Sequence, residues 1–78
     1  MRKALIAARK AIPGLKQEDV ANAIGIDRTS YNRIELGKRS VSVEEAIVIA
    51  KTVGRRIEDI FLPNDVNTNH IATGTDGK

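Results

Sequence analysis

Apolar side chains recur along this chain at helical spacing, in short runs punctuated by glycine and proline. Leu5, Ala8 and Ile12, with Ile6, follow the i, i+3, i+4, i+7 pattern of an amphipathic helix that ends before Pro13 and Gly14. A second run, Gln17 to Ile24, places Val20, Ala21 and Ile24 on one face and stops at Gly25. Glycine inside a helix costs roughly 1 kcal/mol relative to alanine, whereas just past a helix end it supplies the left-handed conformation that stops it. Two short helices joined by a turn at Gly25 therefore fit better than one long one. Asp27 offers a side-chain acceptor to the free amides of a third helix, about residues 28–36, with Tyr31 and Ile34 facing inward and Gly37 after it. Ser42 and Glu45 have capping-box spacing, and behind them Val43, Ala46, Ile47, Ala50 and Val53 form an apolar stripe closed by Gly54. Ile57, Ile60 and Phe61 mark a short fifth helix before Pro63. Strand signals and internal repeats are absent. The pattern predicts an all-α fold: a compact five-helix domain over residues 1–63 and, from 64 to 78, a polar tail expected to be disordered and dispensable for folding.

Length and composition narrow the function. A chain of 78 residues makes one small domain with no room for a large catalytic cleft. Without cysteine there is neither a disulfide framework nor a thiolate metal site, a composition that suits a reducing cytosol. The one histidine, His70, sits in the polar tail and reads as a solvated side chain, so no metal or other cofactor is expected. The short apolar pieces near the N-terminus are broken by Arg9 and Lys10, which fits neither a signal peptide nor a membrane span, and a cytoplasmic, membrane-free protein is expected. No nucleophile and base pair, carboxylate dyad or phosphate loop is recognisable, so the chain does not read as an enzyme.

The formal charge is only +3, but its distribution is uneven. Residues 1–16 carry Arg2, Lys3, Arg9, Lys10 and Lys16 without an acid, and residues 28–39 carry Arg28, Arg33, Lys38 and Arg39 against Glu35 alone. Most acids fall in predicted first turns of helices, where the helix dipole favours them. Clustered bases with locally explained acids suggest a polyanion partner.

The stretch from Gln17 to Arg39 resembles the helix-turn-helix of the Cro/repressor-type (Xre-like) DNA-binding family, with a lambda-repressor-like fold, and the likeness extends over about residues 2–62. Gln17 opening the second helix, the small Ala21, Gly25 in the turn, Ile34, and Glu35 followed by Gly37, Lys38 and Arg39 carry it together. Lys16 stands where the family usually has a Ser or Thr cap, which weakens capping of the second helix. Tyr31 replaces a smaller aliphatic residue, and Arg55 and Arg56 replace an apolar residue and a cap.

In such a motif one helix braces across the DNA backbone while the next lies in the major groove. Advancing about 100° per residue, the pole of helix three opposite the core falls near Thr29 and Leu36, with Asn32 and Arg33 to either side. The resemblance implies base contacts from Arg28, Thr29, Asn32 and Arg33. Arginine pairs with guanine, asparagine with adenine, and a methyl meets thymine. Phosphate contacts are implied at Gln17 and Lys38, with Lys16 and Arg39 adding charge. Glu35 points partway inward and is expected to pair with Arg9 or Lys10. Family members commonly dimerise through the fifth helix and the segment after it, so a homodimer on inverted-repeat duplex DNA is implied, with Ile57, Ile60, Phe61 and Leu62 as the candidate patch. The leading reading is a transcriptional regulator, a repressor. The alternatives are an antitoxin or partner-binding regulator, revealed by a tail that orders only with a partner, and a coactivator-like module that binds unrelated nucleic acids equally.

Overall fold

A computed structural model of the protein describes residues 1–67. Residues 68–78, with His70 and most of the expected tail, lie outside the described residues. The helices are α1 (Lys3–Lys10), α2 (Gln17–Ile24), α3 (Arg28–Glu35), α4 (Val43–Val53) and α5 (Ile57–Ile60). Two features depart from the helical pattern. A 3-10 turn at Pro63–Asp65 leads into strand β2 (Val66–Asn67), which pairs in parallel with β1 (Val41–Ser42), Val41 opposite Val66. Each strand has two residues, too short for the period-two alternation that marks a strand in sequence.

The start of the expected tail is therefore folded. Val66 packs against the core, and the Asp65 carboxylate accepts the Leu62 N–H at 2.8 Å. The core gathers Leu5, Val20, Tyr31, Ile34, Val41, Ile49, Val53, Ile60 and Phe61, with small Ala8, Ala21, Ala46 and Ala50 where helices approach. In α4 the inward residue is Ile49, fully buried, whereas Ile47 is 39% exposed. With residues 46–50 all apolar, spacing alone did not separate the two.

The caps follow the local sequence. Ser30 N–H and Oγ–H donate to the Asp27 carboxylate at 3.1 and 2.7 Å. Ser42 and Glu45 exchange both bonds of a capping box, at 3.0 and 3.1 Å. At α2 the Lys16 side chain accepts nothing, but half of a box survives because Asp19 accepts the Lys16 N–H at 2.8 Å. The α2 end has Gly25 at φ 78°, with Ile26 N–H reaching back to the Ala21 carbonyl at 3.0 Å, the geometry of a Schellman motif. The α3 end repeats it at Gly37, φ 79°, where Lys38 N–H donates to the Arg33 carbonyl at 2.9 Å.

Candidate nucleic-acid interface

α2 packs across α3, and α4 and α1 support the pair from behind. That leaves one side of α3 outward. Arg28, Thr29 and Arg33 are exposed on it, and Asn32 is half-buried. The Thr29 and Arg33 side chains make no hydrogen bond among the described residues. Lys16, at the start of α2, and Lys38, in the turn after α3, are exposed. Arg39 differs: its guanidinium grips the Glu45 carboxylate at 3.2 and 3.0 Å, which neutralises its charge locally.

Beneath this face lies a polarised chain of hydrogen bonds. Arg9 Nε donates to Glu35 Oε2 at 2.6 Å and Nη2 to Oε1 at 3.3 Å, so of the two expected partners Arg9 is the one used. Both groups are largely buried, with 12% and 3% of their side-chain surfaces exposed. Burial alone raises the Glu35 pKa, but the hydrogen bonds from Arg9 and Gln17 outweigh it and hold the carboxyl below the usual carboxylate range. Desolvation, and then the Glu35 charge beside it, pushes the Tyr31 hydroxyl well above its ordinary value; among the described residues that buried hydroxyl has no hydrogen-bond partner.

Gln17 connects this buried pair to the surface. Its Nε2 donates to Glu35 Oε1 at 2.8 Å and to Asn32 Oδ1 at 3.0 Å, while Arg28 Nη1 donates to its Oε1 at 3.4 Å. A carboxylate only accepts and a guanidinium only donates, which settles the Gln17 amide: NH2 toward Glu35, oxygen toward Arg28. Asn32 must then turn its oxygen to Gln17 and its NH2 away. The Gln17 side chain is thus committed within the protein, which leaves its backbone N–H, in the first turn of α2, as the group without an intrahelical acceptor.

Of the expected dimer patch, Ile60 and Phe61 are 4% exposed and close the core of a single chain. Ile57 is half-buried, and Leu62, 71% exposed, stands on the surface. Sequence reasoning missed Arg2, which had counted only as one base among several. No periodicity points to it, because its partners come from residues more than thirty positions away. Among the described residues no group of three His, Cys, Asp or Glu could hold a metal, and no helix is long and apolar enough to cross a membrane.

The geometry defines a class of protein: a small helical domain in which one short polar helix, framed by exposed bases, stands outward from the core. The helix-turn-helix family model matches residues 5–60. An uncharacterised HTH-type transcriptional regulator of Methanocaldococcus jannaschii is 43% identical over 56 residues, covering 72% of this chain and 85% of that protein. Another, of Methanothermobacter thermautotrophicus, is 40% identical over 63 residues, 80% of this chain and 90% of its own. The control protein C.MunI of a Mycoplasma species is 40% identical over 53 residues, 68% and 72% respectively. No solved structure gave a significant match. The chain belongs to the Cro/repressor-type (Xre-like) helix-turn-helix family of DNA-binding transcription regulators.

Proposed function

We propose that the protein is a sequence-specific regulator, a repressor, that binds duplex DNA as a homodimer with α3 in the major groove. The observation that carries this reading is the outward face of α3. Arg28 and Arg33 supply the forked donors that suit guanine, Thr29 supplies a methyl, and Asn32 is held with its amide already oriented. The bond from Gln17 sets the asparagine amide before any DNA is met, which supports this reading. Lys16 and Lys38 flank the face where the two strands' phosphates would run, and Arg39 joins them if it leaves Glu45. The names of the relatives, HTH-type transcriptional regulators and a control protein, agree with such a role.

Exposed Leu62, with half-buried Ile57, is the apolar surface left near α5 for a second copy. A two-fold dimer reads two half-sites about 34 Å apart, one helical turn of DNA. Selection of bound sequences from a random duplex pool tests both parts together. Inverted repeats with centres about 10 base pairs apart are expected. Enrichment of lone half-sites counts against the dimer, and no enrichment counts against sequence-specific binding.

A further inference from the structure

Arg2 precedes α1, yet only 8% of its side-chain surface is exposed. Its backbone N–H donates to the Glu35 carbonyl at 2.8 Å. Its Nη1 donates to the Arg39 carbonyl at 2.8 Å and to the Ile34 carbonyl. Its Nε lies 3.4 Å from Asp65 Oδ1, and the guanidinium sits 5.9 Å from the centre of the Phe61 ring.

Ile34 and Glu35 end α3, where the helix dipole is negative; the Ile34 carbonyl already accepts the Gly37 N–H at 3.1 Å, and Arg2 adds a second donor to it and a donor to the Glu35 carbonyl. A guanidinium and an N–H placed there complete the cap from outside the helix. The neighbouring chain passes so close that a side-chain carbon on Gly37 would lie 3.2 Å from the Met1 nitrogen. The turn from Ile34 to Arg39 is thereby tied at both ends to one side chain, and Lys38 stands between the ties.

We propose that Arg2 is a positioning residue for DNA binding: it holds this turn where Lys38 meets a phosphate, without touching DNA itself. Its side chain, 8% exposed and engaged by the Ile34 and Arg39 carbonyls, offers little surface for a direct contact. The Schellman bonds inside the turn persist without Arg2, but the tie between the turn and the rest of the domain is lost. Lys38 then searches a wider volume and its contact weakens. This rests on the proposed DNA-binding function and adds a residue to it.

The test is a double-mutant cycle in the full chain: wild type, Arg2→Ala, Lys38→Ala and the double variant, titrated with the selected duplex across a salt series. Each single change is expected to weaken binding about tenfold and to lower the slope of log affinity against log salt by about one unit. The double variant is expected to bind no worse than Lys38→Ala within about twofold, because Arg2 acts through Lys38. In the free protein, amide exchange of Arg2→Ala is expected to rise at Gly37–Arg39 and stay unchanged in α2, a pattern that general destabilisation does not produce. If Arg2→Ala does not fold, Arg2→Lys, which keeps the charge but loses the fork, replaces it in the cycle. Multiplying losses, near a hundredfold in the double variant, or wild-type affinity and slope in Arg2→Ala, overturn the proposal. A wild type that binds no duplex overturns the DNA-binding function and takes this proposal with it, whereas multiplying losses leave that function standing.

Discussion

Glu35 illustrates how one buried side chain orders a network that reaches the surface. Its carboxylate neutralises the buried Arg9 and orients Gln17, which orients Asn32. Glu35→Gln leaves a largely buried cation without its counter-charge and is expected to cost roughly 3 kcal/mol in chemical denaturation. The sign with pH is set by the depressed folded pKa. The contribution is complete above the unfolded value of about 4.5 and is lost as pH falls through the lower folded value. Wild type should therefore lose more stability than Glu35→Gln between pH 5 and pH 3. On the outer face, Arg33→Ala and Arg28→Ala are expected to cost about 1 to 3 kcal/mol on the selected site and little on a scrambled duplex. An unchanged ratio of the two affinities in both variants removes α3 from the reading role. The pairing of Glu35 with a base of α1 was legible from its angle on the helix. The amide orientation was not, because it depends on which groups donate and accept across three elements.

Helix boundaries were the most legible part of the structure, since each is set within a few residues. Asp27 and the Ser42–Glu45 box act on amides three positions away, and that distance is written directly in the chain. Gly25 and Gly37 look alike in that respect but differ in space. Nothing lies within 4 Å of a side-chain carbon built on Gly25, so Gly25→Ala carries only the left-handed strain, about 1 kcal/mol. Gly37→Ala adds the clash with the Met1 backbone and is expected to be distinctly more destabilising. Thermal melts of the two variants compare them directly, and equal losses mean that the N-terminal residues yield freely. In α4 the exchange of Ile47 for Ile49 marks the limit of periodicity: an apolar helix has more than one plausible stripe.

At the scale of the whole molecule, the contacts hidden from the pattern join distant residues. Arg2 reaches carbonyls 32 and 37 positions away, and Val66 returns to pair beside Val41. Neither contact leaves a local trace, so the polar composition after Pro63 suggested a tail. Val66 packs on the core and Asp65 faces Arg2, so a chain ending at Asn64 is expected to lose about 1 kcal/mol, or some 4 to 8 °C of melting temperature. An unchanged melt shows that the segment adds no stability. The parallel pairing of β1 with β2 also orders events in time. Parallel strands need a crossover, here the whole of α4 and α5, and closing that loop costs entropy before the pairing returns anything. The helices can nucleate from neighbours in sequence, while this seam waits for the chain to come back on itself. On a ribosome, the domain would emerge with α3 already formed and its last seam still open until residue 67 had cleared the exit tunnel.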